Sequence, residues 1–245
     1  MISVVILTKN EEENIKRCLE SLLWCDEKLI IDDLSSDKTI AIARKSGTTI
    51  YQHKINGDFA SQRNYALEKA QGDWVLFVDA DEIVSDRLVE EIEKKIGNSK
   101  ANGFYLRRRD IFLGQPLNFG ETGNFSEIRL GKKGVGEWQR KVHEIWKITA
   151  PVDSLKNPLI HYSHPTIKSF LTKLNYYTDL DAREFLQKGK KFSYFDLMLK
   201  PPTKFFFNYF LHAGFLDGLP GFIMAFMMSL NSLIVRVKMY ENDKV

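Results

Sequence analysis

Cysteine is almost absent from this 245-residue chain, which has only Cys18 and Cys25. Two thiols exclude a disulfide framework and a cysteine-based zinc site. Their spacing is two helical turns, about 10 Å of rise, too far for a bond within one helix, so they read as reduced thiols on a helix face. Excess charge of one sign is missing too. Lys plus Arg number 35 and Asp plus Glu 32, a formal net charge of +3, which excludes a polybasic nucleic-acid binder held mainly by phosphate charge. No basic n-region or long apolar run precedes Lys9 and Glu11. Residues 2–7 therefore read as a first β-strand and not as a targeting segment, and the catalytic part is expected in the cytoplasm. Glycine is lacking where many nucleotide-binding folds need it. The first strand runs into Thr8-Lys9-Asn10-Glu11, with neither G-x-G-x-x-G nor G-x-x-x-x-G-K-[ST], so phosphates must be held some other way.

What is present is enough for a core. Hydrophobic residues make up 44% of the chain, and the length suits one domain with an appendage. Residues 1–96 alternate β-rich runs at 3–7, 28–31, 48–51 and 74–78 with segments of helical period. Ile15, Leu19, Leu22 and Leu23 share one helix face, with Asn10 and Glu13 spaced as its capping box. Leu88, Val89, Ile92 and Ile96 share another, with Ser85 as N-cap. This repetition predicts an α/β fold with a doubly wound, mostly parallel sheet, whose ligands bind beyond the carboxyl ends of the strands. The second strand ends in Asp32-Asp33-Leu34-Ser35-Ser36-Asp37 and the fourth in Asp79-Ala80-Asp81-Glu82. Two carboxylates one residue apart at a strand end can approach a divalent cation, which takes its other ligands from phosphate oxygens and water.

The composition shifts late in the chain. More than half of the 17 Phe, and all but one of the six Met, lie after residue 190. Between 205 and 235 the one formal charge is Asp217, and Gly214, Gly218, Pro220 and Gly221 interrupt the run. The longest unbroken piece, 222–235, is shorter than the ~20 residues that span a bilayer. Lys200 and Lys204 precede it, and Arg236 and Lys238 follow. One or two helices lying on or dipping into a membrane are expected, their basic flanks on lipid headgroups. A buried helical hairpin or a dimer interface is the alternative. A mixed-charge helix with Phe170, Leu174 and Tyr177, from about Pro165 to Gln187, should lead into this tail.

The ordered set Thr8-x-Asn10, Asp32-Asp33, Gln62-Arg63-Asn64 and Asp79-Ala80-Asp81 resembles the inverting family 2 glycosyltransferases of GT-A fold. Over the later segments Glu127-Ile128-Arg129-Leu130, Trp138, Val142-His143-Glu144 and His161-Tyr162-Ser163-His164, and in the tail from Tyr209 to Gly218, it is similar to the bacterial branch of lipopolysaccharide-core β-glucosyltransferases. One departure is that many members of that branch carry a small residue after the first acid of the second-strand motif, whereas this chain has Asp33 and then Leu34. The resemblance implies a catalytic domain over 1–165, a membrane-associating helical region over 166–245, and a nucleotide-sugar donor, a UDP-sugar, contacted by Thr8, Asn10, Glu11, Asp32, Asp33, Gln62, Arg63, Asn64, Asp79 and Ala80. It implies Mg2+ or Mn2+ held by Asp79 and Asp81. It also implies a cell-envelope glycan or lipid-linked acceptor, no nucleic-acid partner, and a place on the inner face of the cytoplasmic membrane.

Inverting transfer needs one carboxylate to take the acceptor proton, whereas a retaining glycosidase needs a second as nucleophile. Glu144 is the candidate base. It follows an irregular stretch with Gly131, Gly134 and Gly136 that reads as an acceptor-side loop; Glu127 and Asp153 are the runners-up. His143 reads as a third metal ligand or an acceptor contact, or equally as a packing or hydrogen-bonding residue, and Arg129 and Arg63 suit a forked pairing with phosphate. Arg107-Arg108-Arg109 reads as a solvated strand face or an anionic-acceptor contact. His161 and His164 have no obvious acidic partner nearby in sequence and read as part of the acceptor pocket or of the hinge to the tail, not as metal ligands. The competing functions are a sugar nucleotidyltransferase, disfavoured because Thr8-Lys9-Asn10-Glu11 lacks a Gly- and Arg-rich signature, and a non-catalytic nucleotide-sugar-binding membrane module, disfavoured by the intact acid motif.

Overall fold

The apolar runs at the start of the chain and at 74–78 are continuous, the pattern of strands buried on both faces. The computed structural model, which describes residues 1–123, 125–164 and 166–243, places them side by side at the centre of a sheet. The first unit takes in Met1–Arg108 and Ser126–His161, the second Arg109–Phe125 and Tyr162–Val245.

In chain order the first unit runs β1 (Ile2–Thr8), α1 (Ile15–Glu20), β2 (Glu27–Asp32), α2 (Thr39–Lys45), β3 (Thr49–Gln52), α3 (Phe59–Lys69), β4 (Trp74–Asp79), β5 (Glu82–Ile83), α4 (Asp86–Asn98) and the start of β6 (Gly103–Phe112). The chain then passes through β7 (Gln115–Pro116) and the short α5 (Gly120–Gly123) of the second unit. It returns for β8 (Ser126–Lys132), β9 (Gly136–Gln139), β10 (Ile145–Ile148), β11 (Val152–Ser154) and β12 (Leu159–His164). Strands lie in the order β3-β2-β1-β4-β8-β6. The first four are parallel, and β8 joins β4 and β6 antiparallel. This is a mixed α/β sheet built around its parallel half.

Alternation along β1 and β4 divides the core. Val4, Ile6, Leu76 and Val78 face α1 and α4, meeting Ile15, Leu19, Leu88 and Ile92. Val5, Phe77 and, from β2, Leu29 and Ile31 face the other way, onto Ala60 and Ala66 of α3 and onto Trp138 and Trp146. Phe77 meets both indoles edge-on, at 5.0 and 5.2 Å between centroids.

Local chemistry departs from expectation in two places. The capping box of Asn10 and Glu13 does not form. Helix α1 starts at Ile15, with Asn14 at its N-cap, while Asn10 takes a left-handed conformation (φ 55°) and its side-chain oxygen accepts from the Ser36 N–H. Leu23 lies beyond the helix and is exposed. The glycine-rich stretch is not a loop either. Gly131 lies in β8 and Gly136 in β9, because a side chain on either would strike β10, within 2.5 Å of Ile148 Cδ1 and 2.2 Å of the Lys147 carbonyl oxygen. Gly134 turns the chain between them with φ +81°.

In the second unit α6 (Ile167–Gln187) is the expected mixed-charge helix, capped by reciprocal bonds between Thr166 and Ser169. Pro165 lies outside the described residues. After α7 (Tyr194–Phe206), one π-helical and one 3-10 turn lead into α8 (Gly218–Asp243). The breaks expected at Pro220 and Gly221 do not interrupt α8. Pro220 falls in the first helical turn, where the missing N–H has no partner to lose. The segment Gly214–Asn242 is therefore long and apolar enough to cross a membrane, by length and composition alone. Phe170, Leu174, Met224 and Met227 form this unit's core with Phe112 and Leu117.

Candidate active site

Parallel register sets Thr8 level with Asp32, and Leu7 level with Asp79. The polar residues following β1, β2 and β4 therefore meet at one edge of the sheet. At the β1–β2 corner the Thr8 hydroxyl donates to Asp32 (3.2 Å), which also accepts from the Ser35 N–H (2.9 Å). Asp33 is buried and accepts from Lys9 Nζ (2.7 Å) and the Ile55 N–H (2.9 Å). The Glu11 N–H donates to the Thr39 hydroxyl (2.7 Å). Leu34, which follows the two acids, has φ 55° and is exposed, so the chain makes a strained turn there. The corner is a fixed ring of acceptors and hydroxyls, suited to a nucleoside's polar edges.

Beside it lies a row of alternating charges. Glu144, in the 140–144 loop between β9 and β10, accepts from Arg63 Nε (2.8 Å). Arg63 reaches Asp79 through its other arm (3.3 Å). Asp79 receives a two-pronged fork from Arg129 (3.1 and 3.0 Å), and Arg129 in turn holds Glu127. Both arginines are buried, and Arg63 stacks over Trp138 at 4.7 Å from ring centre. Its remaining terminal nitrogen is buried with no hydrogen-bond partner among the described residues. Burial works against the Asp79 charge, but Arg129 and then Arg63 outweigh it and hold the carboxyl well below the usual range. Burial likewise opposes the Arg129 charge, and Asp79, Glu127 and Glu82 outweigh it, raising that guanidinium further. Asp79 and Arg129 are thus both charged near neutrality.

Ala80 packs into the core, between the arginine-bound Asp79 and the buried Asp81. Asp81 lies 3.3 Å from His161 Nε2, both groups nearly buried. The pairing of β12 with β5 places His161 opposite Glu82. The acidic partner of His161 is eighty residues away in sequence and adjacent in space, and the first unit ends at His161. Glu82 is fully buried, accepts from the Asp79 N–H (2.8 Å), and burial pushes its carboxyl up to about 7. Sequence reasoning missed both Glu82 and the Asp81–His161 pair. The short spacing after Asp81 could have signalled the first; only the sheet pairing reveals the second.

The other expected residues divide. Gln62 donates to the His53 carbonyl (2.8 Å) and Asn64 exchanges two bonds with the Trp138 backbone (2.9 and 2.8 Å), so both hold elements of this unit together. His143 is exposed, in a left-handed conformation next to Glu144. Asp153 is exposed and paired with Lys95 of α4. Arg107 donates to the Lys156 carbonyl, and Arg107 and Arg109 are exposed on β6.

The glycosyl transferase family 2 model matches residues 3–153. The lipopolysaccharide core biosynthesis glycosyltransferase LpsC of Rhizobium meliloti is 29% identical over 249 residues, 98% of this chain and 92% of that protein. The uncharacterized glycosyltransferase RC0292 of Rickettsia conorii is 29% identical over 257 residues, 99% and 90% of the two chains. The crystal structure of S. aureus TarS 1-349 in complex with UDP-GlcNAc is similar at a TM-score of 0.49 and 16% identity, covering 99% of this chain and 91% of that one.

Proposed function

This chain belongs to glycosyl transferase family 2, and from that premise we propose that it moves a hexose from a UDP-sugar to a cell-envelope glycan or lipid-linked acceptor, with inversion at the anomeric carbon. The carrying observation is the charge row Glu144–Arg63–Asp79–Arg129 at the carboxyl ends of the strands. The nucleoside lies in the β1–β2 corner against Thr8, Asn10, Glu11, Asp32 and Asp33. Arg63 and Arg129 turn guanidinium N–H groups toward the diphosphate, and their fixed orientation stabilises the charge that develops on it as the sugar leaves.

Asp79 and Asp81 are the oxygen donors that would hold Mg2+ or Mn2+, Asp79 giving up part of its Arg129 and Arg63 contacts to do so, and such an ion would neutralise the leaving diphosphate. Glu144 is the base: Arg63 fixes its Oε1, and the carboxylate takes the acceptor hydroxyl's proton as that oxygen attacks from the back side. The name of the relative LpsC supports an acceptor in the lipopolysaccharide core, and the apolar second unit supports work on the inner face of the cytoplasmic membrane, with the tail seating the enzyme there.

The test is donor-dependent UDP release with a lipid-extract acceptor, together with the anomeric configuration of the product. Glu144→Gln should lower kcat by about 100-fold or more and Asp81→Ala should abolish turnover while both fold. Full activity in Glu144→Gln removes the base, full activity in Asp81→Ala removes the ion, and a retained anomeric configuration removes the mechanism.

A further inference from the structure

The second unit exposes an apolar surface that the transfer reaction leaves unused. At the corner between α7 and α8, Phe206, Phe210, Leu211, Phe215, Leu216 and Leu219 are each about half exposed or more. The patch is continuous. Phe206 meets Phe210, Phe210 meets Tyr209, and Tyr209 meets Phe215 and Phe222, with ring centres 5.1 to 6.2 Å apart. It extends along α8, where Leu219, Phe222, Phe226, Leu233 and Val237 are exposed at helical spacing, a stripe about 27 Å long. The opposite side of α8, with Met224, Met227, Val235 and Met239, is packed inside the unit. Helix α8 is therefore apolar on its inner and its outer face, which packing within one chain does not require.

The one formal charge between 205 and 235 does not face outward. Asp217 accepts the N–H groups of Asn118 (3.1 Å) and Phe119 (2.9 Å). Lys204 pairs with Glu121, the Glu121 N–H donates to Asn208, and the Gly120 N–H donates to the His212 carbonyl. These contacts clear charge from the outer corner. They also tie the start of α8 to a polar loop, residues 118–122. If α8 crossed a bilayer from that corner, Glu121, Lys204 and Asp217 would have to enter hydrocarbon or lose their partners, which is costly in either case.

We infer that this unit inserts its α7–α8 corner into a single leaflet containing anionic phospholipid, with α8 lying in the membrane plane and not crossing it. Exposed Lys190 and Lys191, at the turn between α6 and α7, supply attraction to the headgroups, while the neighbouring Lys188 and Lys200 are paired with Glu184 and Asp196. The inference rests on the reading of a membrane-seated enzyme and adds which surface enters and how far.

The test floats the full chain, carrying a C-terminal tag, with sealed vesicles of phosphatidylcholine and phosphatidylglycerol. Wild type should float, and protease added outside should remove the tag. The double variant Phe210→Asp/Leu216→Asp should lose about tenfold or more in partitioning with an unchanged melting temperature. Leu219→Asp, at a 69% exposed position, gives the same readout if the double variant fails to fold. Folded variants that float like wild type overturn the corner, and a protected tag overturns the in-plane helix. A wild type that stays off vesicles and sediments as a dimer overturns the bilayer in favour of a second copy. UDP release in detergent is read in parallel; its absence from wild type, with flotation intact, sinks the transferase reading and leaves the lipid result standing.

Discussion

Removing Arg63 should unlock the site and weaken the first unit at once. Its guanidinium is buried, bonded to Glu144 at 2.8 Å and Asp79 at 3.3 Å, and lies over Trp138. Truncating one partner of a buried ion pair costs about 3–5 kcal/mol, because the other charge is left unpaired. Here Asp79 keeps its Arg129 fork, and Glu144 is 15% exposed on its side chain, which moves the ion-pair loss to the low end. The lost contact with Trp138 adds about 0.5–1 kcal/mol. Arg63→Ala is therefore expected to destabilise by about 3–4 kcal/mol, read from urea unfolding followed by tryptophan fluorescence. Arg63→Lys keeps the charge but not the fork, so it can serve one acid only and should cost about half as much. A double-mutant cycle with Glu144→Ala should give a coupling of about 1–3 kcal/mol. If Arg63→Ala falls within about 0.5 kcal/mol of wild type, or the coupling is nil, Arg63 does not hold the row together and the reasoning fails.

Three further outcomes follow from the same geometry. Gly136→Ala should cost about 3 kcal/mol or more and change the fluorescence of Trp138 and Trp146, because the new methyl would lie 2.2 Å from backbone that cannot move aside; Gly134→Ala, with open space around it, pays only for its positive φ and is the control. Glu91 titrates low: burial pushes its carboxyl up, but the Lys156 N–H, the Asn157 N–H and the Asn157 side chain together pull it below the ordinary 4.5. Its contribution is thus present above 4.5 and lost as pH falls through the lowered value, so the stability gap between wild type and Glu91→Gln, under about 1 kcal/mol at this half-buried surface site, should close in acid, and a gap that widens there refutes it. Manganese with UDP-sugar should raise the melting temperature of wild type and not of Asp81→Asn; equal shifts would exclude Asp81 from ion and donor.

Much of the first unit was legible because local pattern and global burial agree. Continuous apolar runs, found in β1 and β4, are what strands covered on both faces require, and Leu88, Ile92 and their neighbours mark α4 by period alone. The Asp79-Ala80-Asp81 motif stood out because two acids one residue apart close an apolar strand, in order with the other polar motifs. Partnership across the sheet was not legible. Nothing in local sequence links Asp81 to His161 or Glu144 to Arg63, since strand pairing and a hairpin loop bring them together. The failed capping box has a local cause: Asn10 spends its side chain on the Ser36 N–H and leaves the helix to begin four residues later. The tail misled through Pro220 and Gly221, which read as breaks but fall at a helix start, where they cost little.

The two bonds between Asn64 and Trp138 have a consequence for the outer border of the small β9–β10 ribbon. A carboxamide there imitates a neighbouring strand, giving one donor and one acceptor to the same residue. That stretch of backbone is thereby closed to edge-on recruitment of a foreign strand, and Asn64→Leu should reopen it, so that the chain self-associates through this ribbon.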